Sequence, residues 1–500
     1  MTWSERWRLE MSRRQFMQSL AVGGAAALAA PDLLRAAGAF GADGVRADAL
    51  RADEMTALHP LRFAAPLTPD GITLTAAAGT ADIGGGKMAA ALMLNGSVPS
   101  PLLRVRRGAP FRVTMQNDLA TEFILHWHGL APPVEMDGHP RLAVPSGAKK
   151  EYAFTVNDRA GTYWYHSHAH MRTGEHTNKG ISGLLIVQDD EEDALRLPSG
   201  ARELPIILQD KRLDANGMPY YSTQGPAHMV GFMGAEPFAN GVHRAYHEVE
   251  TAVYRLRLLN ASNARVFRLA LSTGAGMTLI GNDGGLLPAP VSVTSIDLAP
   301  AERVDVLLDL RTAKVGERVM LQSAAYTIPG AMGVMGGANL QGQAMDLVEF
   351  RVAKSVRDTT RIPTRFPAVA LPDPAQAAHT RTFRFNSRMM DHMINDKLYE
   401  MSRVDETVPF GRTELWRFVN ESNFAHPVHV HATHFRVVSR TGGRAALMPW
   451  EAGRKDTVLI WPNETVEVAV RFTEQRGLFL LHCHNLEHED MGMMANILVE

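Results

Sequence analysis

Near its C-terminus the chain carries its only cysteine, Cys483, among side chains that are typical copper ligands. His482 and His484 flank it, His488 follows after five residues, and Met493 follows after ten. A thiolate, imidazoles and a weak axial thioether form the ligand set of electron-transfer copper sites, whereas a lone buried cysteine would explain none of these neighbours. The stretch therefore predicts a copper site.

A buried strand is predicted immediately before this site, because residues 477–481 are a glycine followed by an apolar run. Side chains alternate between the two faces of a strand, so Cys483 points one way while His482 and His484 point the other. One tripeptide can therefore contact two metal centres that are joined by a short covalent path.

Four His-x-His pairs occur in the chain, and on a strand both imidazoles of a pair lie on one face. They are His126/His128, His166/His168, His429/His431 and His482/His484. Eight converging imidazoles suit three metal ions better than one. Imidazole binds copper and zinc alike, but a zinc site would not account for Cys483 and Met493. His426, three residues before His429, has the opposite strand parity and is expected to face Cys483.

A pattern of a turn followed by an alternating strand occurs three times in the chain, and two of its copies lead to histidine pairs. Each copy has a turn at its start, at Asn95, Asn240 or Asn395, and closes an alternating strand at Asn117, Asn260 or Asn420. Nine and eleven residues after the closing asparagine stand histidines in the first and third copies, but Leu269 and Leu271 in the second. Residues 161–168 match 477–484 position for position, with Ser167 in the cysteine position. We predict three β-sandwich domains of one type, the outer two meeting at the metal and the middle one acting as a spacer.

Composition agrees with a globular all-β protein. A content of 45% apolar and 21% charged residues is ordinary for a globular chain, and 42 Gly and 28 Pro among short apolar runs favour strands. The net charge of −2 argues against a nucleic-acid-binding protein.

The N-terminus is typical of a bacterial twin-arginine (Tat) export signal, since Arg13 and Arg14 precede an Ala/Gly-rich apolar run. An amphipathic helix is the alternative. An acidic stretch at 188–193 and a proline-rich one at 363–374 suggest linkers. We accordingly predict a leader at 1–45 and domains at 46–195, 196–360 and 361–500. No segment has 18 consecutive apolar residues, so we expect a soluble, periplasmic mature protein without a membrane span.

The motifs around the ligands resemble those of the multicopper oxidase family. They are His126-Trp127-His128-Gly129, His166-Ser167-His168, His426-Pro427-Val428-His429-Val430-His431 and the stretch from His482 to Met493. The resemblance extends from about residue 75 to the C-terminus, and the layout is similar to the bacterial cuprous oxidase, laccase and bilirubin-oxidase-like group. It implies three cupredoxin-like Greek-key β-sandwich domains, with a trinuclear site between the first and third.

The resemblance further implies four copper ions. Type 1 copper would bind His426, Cys483, His488 and Met493; type 2 copper His126 and His429; one type 3 copper His128, His166 and His484; and the other His168, His431 and His482. Asp137 and Glu489 match carboxylates that lie behind these ligands in the family and would supply protons to bound oxygen. A surface salt bridge is the alternative for each.

The implied activity is an oxidase reaction in which a reducing substrate gives single electrons to type 1 copper. These pass through Cys483, the third residue expected to take part in catalysis, and four of them reduce O₂ to two waters. The donor stays open between a phenol or aromatic amine and Cu(I). A cuprous oxidase for copper tolerance is the main alternative. A metal-free structural or cell-division homologue and a copper-storage protein are the non-catalytic ones.

Methionines in two clusters bear on the donor, because thioethers select Cu(I) but also fill gaps in cores. They are Met332, Met335 and Met345, and Met389, Met390 and Met393 with Asp391 and His392. Ser422 and Phe424 stand where cuprous oxidases have an acid and a methionine, which counts against a specific Cu(I) site. We expect a monomer that meets O₂, a small donor and the Tat export machinery as partners.

Overall fold

The computed structural model describes residues 57–225, 227–328, 340–388 and 391–500. The predicted leader and Met332, Met335, Met389 and Met390 lie outside the described residues. Within these ranges the regular secondary structure is mainly β-strand, which confirms the all-β prediction. Among the helices of the described ranges, none is long and apolar enough to cross a membrane.

Two four-stranded sheets share the first hydrophobic core and form what we call the first sandwich. In spatial order, one contains Met88–Leu94, Asp70–Asp82, Pro110–Asn117 and Lys149–Thr155, and the other contains Leu103–Arg106, Ser182–Gln188, Gly161–Ser167 and Leu125–His126. Strand Pro110–Asn117 buries every second side chain, as a strand with one face on a core does. Trp127, Tyr152 and Tyr165 fill this core.

A six-stranded and an eight-stranded sheet share the second core and form the middle sandwich. The first contains His59–Pro60, Ala245–Glu250, Met345–Lys354, Arg318–Ser323, Phe267–Leu271 and Ile296–Leu298; the second contains Val242–His243, Glu236–Ala239, Glu203–Leu213, Val253–Asn260, Arg303–Asp309, Met277–Asn282 and Gly285–Val293, with Pro219–Tyr220 paired to Glu203–Leu213. Strand Val253–Asn260 is buried along its whole length. Both of its faces are therefore covered by other parts of the chain.

Two five-stranded sheets share the third core and form the last sandwich. One contains Asp391–Ile394, Thr380–Arg388, Glu414–Asn420, Thr465–Val470 and Arg436–Thr441, and the other contains Glu406–Val408, Met494–Val499, Gly477–Cys483, His426–Val430 and Thr457–Ile460. The predicted apolar run thus becomes the central strand Gly477–Cys483. Cys483 and Met493 belong to the same buried core as Trp416 and Phe418.

Helices in the described ranges are short. The α-helices are Thr173–Asn178, Asp190–Ala194, Ala227–Val230 and Leu486–Asp490, and the 3₁₀ helices are Pro140–Leu142, Gly200–Arg202, Pro374–Gln376 and Pro449–Glu451. Helix Leu486–Asp490 begins where the side chain of Asn485 accepts a hydrogen bond from the N–H of His488, a regular N-cap. This cap fixes His488 just after the Cys483 strand.

The threefold repeat is visible in the hydrogen bonds of its asparagines. Asn95, Asn240 and Asn395 have φ angles of 51°, 46° and 52°, a left-handed conformation that asparagine tolerates. Each of the three accepts a backbone N–H from a preceding strand and donates its amide to a carbonyl two residues earlier in that strand. The closing asparagines, Asn117, Asn260 and Asn420, each accept the N–H two residues on and donate to two carbonyls. The limits drawn between the three domains stay predictions.

Candidate metal centres

Two antiparallel strands of the last sandwich set up both candidate centres. Strands His426–Val430 and Gly477–Cys483 pair with Val428 opposite Cys483 and His429 opposite His482. Because side chains alternate, Cys483 faces the interior of the last sandwich and the His429 and His482 side chains face the opposite way.

The first centre contains Cys483, His426 and His488. The sulfur of Cys483 lies 3.3 Å from Nδ1 of His426 and 3.8 Å from Nδ1 of His488, and the two Nδ1 atoms are 3.2 Å apart. The backbone of Met493 joins the group, because its carbonyl accepts the N–H of Cys483 at 3.1 Å and its N–H donates to the carbonyl of His488 at 2.9 Å. All four side chains are fully buried. One sulfur and two imidazole nitrogens converging in this way suit a soft cation.

The outward nitrogens of the two imidazoles are held by neighbours. Nε2 of His426 lies 2.7 Å from Oγ of Ser422, and Nε2 of His488 lies 3.0 Å from the carbonyl of Met229 on helix Ala227–Val230. A carbonyl can only accept, so His488 carries its proton on Nε2 and leaves Nδ1 free to bind a metal. The backbone N–H of Asn485 donates to the sulfur of Cys483 at 3.4 Å.

The second centre contains the imidazoles of the four His-x-His pairs, which come from both the first and the last sandwich. The pairs stand at the ends of strands Leu125–His126, Gly161–Ser167, His426–Val430 and Gly477–Cys483, and the later histidine of each pair lies just beyond the strand. All eight imidazoles are at most 1% exposed.

The predicted ligand sets lie close together in space. Nε2 of His126 is 3.4 Å from Nε2 of His429, and Nε2 of His482 is 3.4 Å from that of His168 and 3.1 Å from that of His431. The rings of His128, His166 and His484 have centroids 5.1 to 5.8 Å apart. The nitrogens of His126 also group with those of His128 and His166, so the eight imidazoles form one continuous cluster.

Chemistry at the second centre also fits cations. Nδ1 of His128, Nε2 of His166 and both ring nitrogens of His484 are buried and have no hydrogen-bond partner among the described residues. An unpartnered buried polar atom is costly unless a ligand satisfies it. Burial lowers the pKa of His166 to about 3 and that of His168 to about 4, so both are neutral and able to bind a metal at neutral pH.

Asp137 and Glu489 both lie directly behind this cluster. Oδ2 of Asp137 is 2.7 Å from Nδ1 of His431, and its backbone carbonyl accepts from Nδ1 of His126 at 2.6 Å. Glu489 lies 3.5 Å from Nδ1 of His168 and 3.3 Å from Nδ1 of His482.

Their environments shift the pKa values of the two carboxyl groups in opposite directions. Burial raises the pKa of Asp137 well above its usual value. Burial also acts to raise the pKa of Glu489, but the imidazoles of His168 and His482 outweigh it and lower the pKa to about 2. Two carboxyl groups with oppositely shifted pKa values thus face the same cluster.

Asp456 is a residue of the site that the sequence reasoning missed. Its Oδ1 lies 3.0 Å from Nε2 of His128 and its backbone carbonyl 2.9 Å from Nδ1 of His429. Burial would raise its pKa, but the guanidinium of Arg303 holds the pKa of Asp456 well below its usual value. The only signal in the sequence was a charged pair, Lys455 and Asp456, directly before an apolar strand.

The described members of the two methionine clusters lie in different parts of the structure. Met345 lies in the core of the middle sandwich and is not part of either centre. His392 does adjoin the first centre, because its ring stacks on that of His488 with centroids 3.8 Å apart. Met393 is half-buried on the same strand, Asp391–Ile394.

Comparisons with known proteins agree with this geometry. Sequence profiles of the multicopper oxidase family match residues 75–192, 246–331 and 368–500, and a profile of the twin-arginine translocation signal matches residues 10–30. The last match supports export by the twin-arginine pathway.

Individual relatives cover most of the chain. A laccase of Bacillus subtilis is 30% identical, over 80% of this chain and 88% of its own length. A bilirubin oxidase of Albifimbria verrucaria is 33% identical, over 80% of this chain and 71% of its own length. The crystal structure of the McoA multicopper oxidase of Aquifex aeolicus superposes with a TM-score of 0.81 at 34% identity, covering 89% of this chain and all of its own.

Proposed function

The chain belongs to the multicopper oxidase family, and we propose that it oxidises a small phenolic or aromatic amine donor at the Cys483 centre and reduces O₂ to water at the eight-histidine cluster. That it is a copper-dependent oxidase using O₂ follows from the family. One observation carries the proposal of two linked metal centres. Cys483 and His482 are adjacent on one strand, but Cys483 contacts His426 and His488 while His482 contacts His168 and His431.

We assign four copper ions to these centres. His426, Cys483, His488 and Met493 would hold type 1 copper, His126 and His429 type 2 copper, and the triads His128/His166/His484 and His168/His431/His482 the type 3 pair. When bound, the ions would accept electrons singly from the donor and deliver four of them to O₂. The chain itself contributes the covalent path from Cys483 to its two neighbouring histidines.

Asp137 and Glu489 are proposed to supply protons at the cluster. Each touches two ligand histidines and neither is exposed. Asp137, whose pKa is raised by burial, can hold a proton within the buried site, and Glu489, whose pKa is lowered to about 2, can accept a proton and pass it on. The main-chain contact from Asp137 to His126 and the side-chain contact to His431 also fix the orientation of both rings.

Electrons from the donor must enter through protein that covers the first centre. The His426 and His488 imidazoles are fully buried, and their outward nitrogens are bonded to Ser422 and Met229. A donor therefore docks outside these groups and transfers electrons across them without binding copper directly. Such transfer suits a phenol or an aromatic amine, which can give up its electron at the protein surface and release the accompanying proton to water.

A Cu(I) donor is the second candidate, favoured by the neighbourhood of His488. His392 stacks on its ring, the backbone carbonyl of Met229 contacts its Nε2, and Asp391 and Met393 flank His392 on the same strand. A carboxylate, an imidazole and a thioether are thus consecutive in this strand, and thioethers select Cu(I). We further propose that the exported protein works in the periplasm as a monomer.

Oxygen consumption by copper-loaded protein tests the proposal, with 2,6-dimethoxyphenol and Cu(I) compared as donors in steady state. We expect turnover of the phenol without added copper, and we expect Cys483→Ser to abolish it. Turnover of Cu(I) alone would replace the organic donor with the cuprous one. Copper-loaded protein that consumes no oxygen with either donor would overturn the proposed function.

A further inference from the structure

His128 uses its ring nitrogens in the opposite sense to its neighbours in the cluster. In His126, His429 and His166, Nδ1 is bonded to a backbone carbonyl, at 2.6, 2.9 and 2.9 Å, which leaves Nε2 for a metal. In His128 it is Nε2 that is engaged, while Nδ1 is buried without a partner among the described residues. His128 is therefore set up to bind through Nδ1.

Asp456 determines this orientation. Its Oδ1 lies 3.0 Å from Nε2 of His128, and because an ionised carboxylate only accepts, the imidazole must carry its proton on Nε2. The hydroxyl of Thr457 lies 3.2 Å from the same nitrogen and donates to Oδ1 of Asp456 at 2.9 Å. The backbone carbonyl of Asp456 also holds His429, so one residue orients two rings of the cluster.

Asp456 is held in turn by Arg303, which belongs to the middle sandwich. Nη1 and Nη2 of Arg303 donate to the two carboxylate oxygens of Asp456 at 2.8 and 2.6 Å. The other N–H groups donate to the carbonyls of Thr162, Ala301 and Asp283, at 2.9 to 3.0 Å, so all five donors of this buried guanidinium are used. Because the guanidinium is held by three carbonyls and binds both oxygens of Asp456, it fixes the orientation of this carboxylate.

The side chains of Arg303 and Asp456 are also closely packed. Gly129, which follows His128, has a φ of 89°, and a Cβ at this position would lie 2.7 Å from both Nη2 of Arg303 and Oδ2 of Asp456. The charges are balanced nearby by Lys455, which contacts Asp283 at 2.9 Å and Glu302 at 2.8 Å. The middle sandwich thus extends a fully buried charge network to the edge of the cluster.

We propose that Arg303 is a positioning residue for the oxygen-reducing cluster, acting through Asp456 to hold His128 in the tautomer whose Nδ1 is the ligand. The inference rests on the proposed role of His128 as a copper ligand. It gives the middle sandwich, which has no ligands of its own in the described residues, a direct part in building the metal site.

Arg303→Met, which removes the charge and the fork, is the principal test. Copper content per chain and the electron paramagnetic resonance signal of type 2 copper are measured beside the blue absorption of the type 1 centre. We expect affinity for copper at the cluster to fall by about 10- to 100-fold, while the blue absorption is retained. Arg303→Lys, which keeps the charge without the fork, should recover only part of the loss.

Arg255→Met is the matched control. Arg255 is another buried arginine of the middle sandwich, and it pairs with Glu192 and Asp305. Arg255→Met should lower the melting temperature about as much as Arg303→Met does, and it should leave the copper content of the cluster unchanged.

If Arg303→Met does not fold, the same measurements on the nearly isosteric Asp456→Asn decide the question. Full cluster copper in the variant that folds, or equal copper loss in Arg255→Met, overturns the inference while the proposed function stands. Wild-type protein that binds no copper overturns both.

Discussion

The sulfur of Cys483 and Nε2 of His482 belong to adjacent residues and yet to different clusters. Cys483 lies 3.3 Å from His426 in one, and His482 lies 3.1 Å from His431 in the other. Side chains of adjacent strand residues lie on opposite faces, so the two clusters are joined by the backbone of only two residues. A residue inserted between them would disrupt the strand.

Cys483→Ser should therefore remove the donor reaction but not the second cluster. We expect loss of the blue absorption, one copper ion fewer per chain, and no detectable oxidation of donor, because a hydroxyl does not replace a thiolate as a soft ligand. Metal analysis and visible spectroscopy measure this. Ser167→Ala changes the equivalent position of the first sandwich and should keep the blue colour. Retention of the blue absorption in Cys483→Ser would show that the sulfur is not a ligand.

Asp137→Asn should slow the reduction of O₂ by about 100-fold or more, the usual contribution of a positioned proton donor. The blue absorption should not change, since Asp137 contacts His431 and not the first centre. Single-turnover reoxidation of the reduced enzyme by O₂ measures the effect. Asp158→Asn is a suitable control, because burial also raises the pKa of Asp158, to about 6, but its carboxylate accepts a hydrogen bond from the N–H of Ala131. Unchanged reoxidation in Asp137→Asn would leave this residue without a proton-transfer role.

Acid stability should depend on Glu192. Burial acts to raise its pKa, but Arg257 and Arg255 outweigh burial and lower it to about 2. A depressed carboxyl pKa contributes stability that is complete above the unfolded-state value near 4.5 and is lost as the pH falls towards 2. Glu192→Gln should therefore cost about 3 kcal/mol at pH 7, and less at pH 3.

Thermal unfolding of the apoprotein at pH 7 and pH 3 measures this difference. Glu191→Gln, which changes an exposed neighbour, should have no effect at either pH. An equal loss for Glu192→Gln at both pH values would mean that the ion pair is not the cause.

Ligand residues could be predicted from the sequence because they recur in pairs at fixed offsets from an asparagine that ends a strand. Asn117 and Asn420 make the same hydrogen bonds in the structure, so equal spacing gives equal placement. The residues that hold the ligands could not be predicted in this way. Arg303 and Asp456 are 153 residues apart, and nothing in either local pattern indicates their contact.

A residue that covers the first centre could not be predicted from the sequence for a similar reason. Met229 contacts His488 through its backbone carbonyl, so the identity of its side chain carries no signal. Ser422, by contrast, is a visible departure from the cuprous oxidases in the sequence. Its contact with Nε2 of His426 explains what a serine can do at this position.

Ser422→Ala should raise the reduction potential of the type 1 centre. The hydroxyl of Ser422 lies 2.7 Å from Nε2 of His426, and an acceptor at that nitrogen makes the imidazole a stronger donor to oxidised copper. Loss of a hydrogen bond worth about 1 kcal/mol corresponds to a rise of about 40 mV for a one-electron couple. Redox titration of the blue absorption measures the shift. Ser262→Ala is the matched control, because Ser262 occupies the same turn two residues after Asn260 in the middle sandwich, where its hydroxyl has no hydrogen-bond partner among the described residues. An unchanged potential in Ser422→Ala would mean that this hydroxyl does not tune His426.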